Sequence, residues 1–258
     1  MGGRADARRR DGLIVLEGAV SVAAALEGGR REVERVLIRA DKWEKTGELR
    51  ALARTRPATR VERATAEQID AVATGRTHGG ILAEAGPLSY VEPADLAHGE
   101  RPFVAMLDGI EDPYNFGYAI RSLYAAGADG LAVRPREWGD SEATVVKASA
   151  GASEFLPIAH VEGAEAAADL FKERGLAVAC TAKRDATPIY DVDLSGPLFL
   201  LVGGERRGIT REFLGRADLL LEIPYRRRFS LSLGTVAAVS VLAFEVMRQR
   251  RSAVPPVA

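Results

Sequence analysis

The chain has 258 residues, 47% of them hydrophobic, and 35 basic residues stand against 36 acidic ones. This is long enough for one large domain or two modest ones, each with a sizeable core, and the charge balance means that any nucleic-acid site must be a local patch. The single cysteine, Cys180, excludes an internal disulfide and a zinc site built on paired cysteines, and His78, His98 and His160 are too scattered for a histidine metal motif, so no metal is expected.

The opening stretch MGGRADARRRDGLIVLEGAV places arginines before an apolar run, but Glu17 interrupts the run. It reads as a basic tail over residues 1–10 leading into a first helix rather than a secretory signal. Helix-like and strand-like pieces then alternate. VSVAAALEG is a helix ending at Gly28, VERVLIRA a strand, KTGELRALARTR a helix and TRVERA a short strand. TAEQIDAVA is a helix opened by Thr65, with Gln68 at the capping-box position, and HGGILAEA is a closing strand. Residues 11–90 therefore form a small α/β domain. Residues 91–101, with prolines and acids and little apolar periodicity, are a linker.

From residue 102 to 258 the alternation is cleaner. Strands are expected at PFVAMLDGI, GLAVRP, EFLPIAHV, GLAVACT, LFLLVG and LLLEIP. Helices are expected at FGYAIRSLYAAG, SEATVVKASAG, AEAAADLFKERG, TREFLGR and LGTVAAVSVLAFEVMRQR. Near-continuous apolar strands between amphipathic helices predict a doubly wound, mostly parallel sheet, whose ligands bind beyond the carboxyl ends of the strands. The last helix carries Glu245 and is too short to span a bilayer, which predicts a cytoplasmic protein with no membrane partner.

Three loops at that sheet edge carry chemistry. In DGIEDPYNFGYAIRS, Asn115, the only asparagine of the chain, is placed to cap the helix. Ile120, Leu123, Tyr124 and Gly127 share the face that should pack on the sheet, while Arg121 lies away from it. In LLVGGERRGIT, Gly203, Gly204 and Gly208 allow backbone amides to face a ligand, with Glu205 free to be a surface carboxylate or to orient Arg121. In EIPYRRRFSLSLGTVAA, Arg226, Arg227 and Arg228 precede the last helix, where they are either a solvated loop or a phosphate-binding patch. Between Arg30 and Arg63 there are eleven basic residues and six acidic ones, a second local patch that includes Arg31.

Taken in order, the three loops resemble the motifs of the SpoU/TrmH branch of the SPOUT RNA methyltransferases. Asp112, Pro113, Asn115, Gly117 and Arg121 match D-P-x-N-x-G-x-x-x-R; Gly203, Glu205 and Gly208 match G-x-E-x-x-G; Ile223 and Pro224 match the I-P that opens the third. The segment VKASAGASEFLPI also resembles the helix between the first two motifs, and the first half resembles the small RNA-binding domain of the family. One departure stands out: the asparagine of the third motif is absent, and FSLSLG offers two registers, which put Ser232 or Gly234 in its place.

The resemblance implies a C-terminal trefoil knot and S-adenosylmethionine held by the backbone of Gly203, Gly204, Ile223, Leu231, Ser232 and Leu233. It implies methyl transfer to a ribose 2′-hydroxyl, of ribosomal RNA first and transfer RNA second, by a homodimer. Arg121 is the implied catalytic arginine, with Asn115, Glu205 and Ser232 beside it, and Arg30, Arg31, Arg226, Arg227 and Arg228 on the RNA. The missing asparagine leaves a second reading, a weakly active or inactive RNA-binding protein of the same fold.

Overall fold

The structure, a computed structural model, describes residues 12–135, 141–182, 184–204 and 208–252. It divides into two compact units, residues 1–89 with 138–155, and residues 90–137 with 156–258.

The first unit is built on β1 (Ile14–Glu17), β2 (Val33–Arg39), β3 (Arg60–Ala64) and β4 (Ile81–Ala85), in the order β1-β4-β2-β3. β4 runs antiparallel to β1 and β2, and β2 runs parallel to β3. Its helices are α1 (Ala19–Gly28), α2 (Gly47–Arg54) and α3 (Ala66–Val72), and the capping box of α3 forms as expected, with Thr65 and Gln68 each accepting from the other's backbone N–H. The strand period of two sorts the side chains. Leu16, Val36, Ile38 and Ala83 share one core with Val22 and Leu26 of α1 and Leu49 of α2. Leu37 and Leu82 face the other way and bury Ile69 of α3.

Two expectations are corrected here. The apolar run after the basic tail is β1 rather than the start of a helix, because Ile14–Glu17 pairs with β4 and only then does Gly18, at φ 89°, turn the chain into α1. Order along the chain assigns α5 (Ser141–Ala148) and the 3-10 turn Ala152–Glu154 to the second domain, but they pack with the first unit. Val146 enters the core around Leu16, and Arg31 binds Glu154.

The second unit is a seven-stranded sheet of β5 (Phe103–Asp108), β6 (Gly130–Val133), β7 (Ile158–His160), β8 (Ala177–Thr181), β9 (Thr187–Pro188), β10 (Leu198–Gly203) and β11 (Leu219–Glu222). The order is β7-β6-β5-β10-β8-β11-β9, and every pairing among these strands is parallel. Among the described residues four α-helices accompany it: α4 (Pro113–Ala125), α6 (Ala164–Glu173), α7 (Arg211–Arg216) and α8 (Thr235–Ser252). α6 contributes Ala167, Ala168 and Phe171, and α7 contributes Phe213, to a core with Val104, Met106, Phe199 and Leu201. α4 packs against α8, and α8 reaches β10. Burial on both faces explains the unbroken apolar strands. Among the described residues no helix is long and apolar enough to cross a membrane.

Candidate active site

Central strands β5 and β10 lie side by side in register, with Gly203 opposite Asp108, so the loops that follow them leave the same edge of the sheet. The Gly204 N–H donates to the Asp108 carbonyl at 2.6 Å. A side chain at Gly204 would put its Cβ 2.1 Å from the Gly109 carbonyl oxygen, and Gly109 itself turns at φ 79°. Glycine is thus required at 204 by close backbone approach and at 109 by conformation. A Cβ at Gly203 would lie 2.9 Å from Ile209, so the second loop folds back tightly on its own origin.

The first loop enters α4 through Asp112, whose carboxylate accepts from the Asn115 N–H at 2.8 Å. Asp112 is therefore the cap, and the expectation that Asn115 fills that role is corrected. The cause is Pro113: its fixed φ suits the first helical position and its missing N–H leaves no orphan there, so the cap falls one residue earlier. Asn115 is exposed in the first turn, and its side chain has no hydrogen-bond partner among the described residues. Phe116, Ala119, Ile120 and Leu123 form the buried face of α4; Tyr124, expected on it, is exposed because the true stripe runs one position earlier. Arg121 shares the exposed face with Tyr114 and Tyr118, nine residues past the cap and about 13 Å along the axis, and its guanidinium too has no partner among the described residues.

The third loop leaves β11, which is separated from β10 by β8. Ile223 and Leu233 are half-buried, whereas Arg226, Arg227, Arg228, Leu231 and Ser232 are exposed. The Leu233 N–H donates to the Tyr225 hydroxyl at 2.9 Å, which ties the two ends of the loop. α8 follows, and its Ser240 hydroxyl meets the Ser122 hydroxyl of α4 at 2.8 Å. The helices launched by the first and third loops are thereby joined beside Arg121. Glu205 lies outside the described residues.

Sequence reasoning missed a charged pair at this edge. Asp108 and Arg134 extend the Met106–Ala132 pairing of β5 and β6 by two residues, and the Arg134 guanidinium grips the Asp108 carboxylate through two bonds of 2.9 and 3.2 Å. A signal was present: each residue stands at the carboxyl end of the apolar run of a predicted strand, and oppositely charged ends of adjacent parallel strands meet. Nearby, Thr210 donates to Glu165 at 2.7 Å, and that bond, foremost, holds the Glu165 carboxyl below its ordinary range.

In the first unit, Arg31 is corrected outright as a phosphate-binding residue. It is 6% exposed. Its guanidinium donates to both Glu154 oxygens at 2.7 and 3.0 Å, to Glu142 at 2.8 Å and to the Gly86 carbonyl at 2.9 Å. Burial works against its charge, but Glu154 and then Glu142 outweigh burial and hold its pKa above the ordinary value. Arg30 donates to the Ser89 carbonyl at 2.7 Å. Arg35 and Arg39 pair with Glu84 and Asp41, which leaves Lys45, Arg54, Arg56, Arg60 and Arg63 as exposed cations of this stretch without a carboxylate partner among the described residues.

Residues 102–244 match the SpoU rRNA Methylase family, and residues 15–91 match RNA 2'-O ribose methyltransferase substrate binding. The chain is 31% identical over 255 residues to an uncharacterized tRNA/rRNA methyltransferase of Synechocystis sp., across 93% of this chain and 64% of that relative. It is 30% identical over 195 residues to the 23S rRNA (guanosine-2'-O-)-methyltransferase RlmB of Photobacterium profundum, across 74% of this chain and 79% of the relative. Among solved structures, the SpoU methyltransferase AviRb from Streptomyces viridochromogenes, crystallised with AdoMet, superposes with a TM-score of 0.75 at 24% identity, over 93% of this chain and 91% of that one. At that identity the likeness is one of fold.

Proposed function

Because the chain belongs to the SpoU family of RNA methyltransferases, we propose that it methylates a ribose 2′-hydroxyl of ribosomal RNA with S-adenosylmethionine as donor. The observation that carries this reading is the convergence of the first two loops through the Gly204–Asp108 backbone bond. Relatives described as acting on 23S rRNA support the choice of ribosomal over transfer RNA.

The residues present fit the donor. The Gly203–Gly204 backbone lies at the sheet edge, half-buried at Gly203 and buried at Gly204, where side chains would collide with neighbouring main chain, and Leu231–Leu233 offer backbone groups on a loop tied by Tyr225. Gly203, Gly204, Ile223, Leu231, Ser232 and Leu233 would hold the cofactor by main-chain hydrogen bonds, which recognise an adenine edge rigidly. A trefoil knot in the C-terminal segment belongs to this proposal. S-adenosylmethionine, when bound, supplies an activated methyl group, so the protein's tasks are to position the acceptor hydroxyl and manage its proton.

Arg121 performs the first task by anchoring a substrate phosphate and stabilising charge developing on the acceptor oxygen. A guanidinium stays protonated and is a poor base, so the hydroxyl proton passes to an oxygen of the substrate phosphate that Arg121 anchors, and from there to solvent. Asn115 orients the ribose or Arg121, Ser232 supplies a hydroxyl where the family has an amide, and Glu205 fixes the second loop. A homodimer completes the site: Tyr114 and Tyr118 precede Arg121 on the outer face of α4, and Phe244 is exposed on α8, apolar area suited to a second copy. The decisive measurement uses Arg121→Ala with labelled donor and ribosomal RNA. Methyl transfer should be lost while calorimetry finds donor affinity within about twofold of the parent; retained turnover removes Arg121 from its role.

A further inference from the structure

Between Glu222 and Glu245 the chain carries no acid, and Arg226, Arg227 and Arg228 stand in that interval. All three are exposed, and none has a hydrogen-bond or ion-pair partner among the described residues. Beside them Phe229 is 57% exposed and Leu231 66% exposed. An isolated exposed leucine needs no explanation, but a phenylalanine next to three unpaired cations, on a loop with no buried residue between Leu221 and Thr235, does.

The loop is held in shape from below. Tyr225 accepts the Leu233 N–H and clasps the loop's ends, and the ring of Phe229 leans on that of Tyr225 with centroids 6.0 Å apart and planes at 51°. Phe229 thus rests against one ring while more than half of it stays open to solvent, a presentation that costs hydration free energy unless something apolar covers it.

We propose that Phe229 is a base-stacking platform: an unpaired nucleotide of the RNA lies on its ring while Arg226–Arg228 hold the flanking phosphates. The assignment rests on the RNA methyltransferase reading and adds to it a contact made by base and backbone rather than by the acceptor ribose. Aromatic rings beside basic residues suit single strands, whose bases are free to stack, and not duplexes, whose bases are closed off. Charge selects this occupant over a second copy of the chain. A two-fold axis through the loop would set three arginines against three more, with no acid within the segment to separate them.

The full-length protein, without added donor, is titrated into a 12-nucleotide single-stranded RNA carrying one 2-aminopurine and into the same sequence as a duplex. The single strand should bind more tightly, with quenching of the 2-aminopurine. Phe229→Ala should weaken single-strand binding about tenfold or more and abolish the quench, and Phe229→Tyr should restore both. Replacing Arg226, Arg227 and Arg228 together by Ala should lower the slope of log affinity against log salt by about 2. Unchanged binding or quenching in Phe229→Ala overturns the proposal. So does a fall in molecular mass by sedimentation, which would assign the ring to a subunit contact, or a loss of S-adenosylmethionine affinity, which would assign it to the cofactor. Because strand binding is read without donor, a protein that stacks RNA but transfers no methyl group refutes the enzymatic reading while supporting this one.

Discussion

Arg31 and Glu154 show how one residue's role depends on partners that the local sequence does not display. They lie 123 positions apart, and both are buried. Removing one member of such a pair strands an ion in the core, whereas removing both removes the stranded charge as well. Arg31→Met should therefore destabilise the first unit by about 3–5 kcal/mol in urea denaturation, and Arg31→Met with Glu154→Leu by clearly less than the two single changes combined. Glu17 makes the corresponding case for pH. Its buried carboxylate accepts from the Thr74 N–H at 2.8 Å, the Thr74 hydroxyl at 3.0 Å and the Gly75 N–H at 2.6 Å. Burial alone would raise its pKa; the hydrogen bonds, that from Gly75 foremost, bring it below the ordinary 4.5. A depressed folded value means that its contribution is complete above that ordinary value and is lost as pH falls through the lower folded one. Glu17→Gln should be less stable than the parent at neutral pH, and the two stability curves should draw together in that acid window.

At the scale of elements, the close contact of Gly109 and Gly204 is the most demanding feature of the proposed site. A Cβ 2.1 Å from a carbonyl oxygen on a central strand's exit cannot be absorbed by a rotamer change. Gly204→Ala should force the two loops apart, lower stability by about 1–3 kcal/mol and weaken donor binding in calorimetry. Gly215→Ala, in α7 with open space around it, is the control and should be neutral or slightly stabilising. The strands that carry these loops were legible because burial on both faces makes their sequences continuously apolar, and the loops were legible because Gly and Pro punctuate them. β1 was not, since four residues after an arginine-rich tail acquire strand character only through β4, far along the chain. β9, two residues long, has no period to detect. The α4 cap was misassigned because Asp112 and Asn115 are both good caps, and only the helical placement of Pro113 separates them. Asp112→Ala should cost about 1 kcal/mol, while Asp112→Asn, which keeps an acceptor, should cost little.

For the whole molecule, the instructive feature is that residues 138–155 belong to the first unit although the segments on either side of them belong to the second. The packing that binds them is tight. The Cβ that an alanine would place at Gly151, where φ is 83°, lies 2.3 Å from the Ala24 side chain, and one at Gly28 would lie 2.2 Å from the Glu154 carbonyl. Val146 completes the apolar core of Leu16, Val22 and Ile81, and Glu154 neutralises Arg31. A fragment ending at residue 89 would retain the four strands and three helices, yet expose that core along the missing α5 and leave Arg31 buried without its principal counter-ion. A unit this small has little stability in reserve, because a short chain buries a smaller fraction of its surface. The fragment 1–89 should therefore give no cooperative thermal transition and no slowly exchanging amides, whereas the same amides of β2 and β4 in the intact chain should be protected. A sharp melt of the isolated fragment would show instead that α5 only decorates a unit that is already complete.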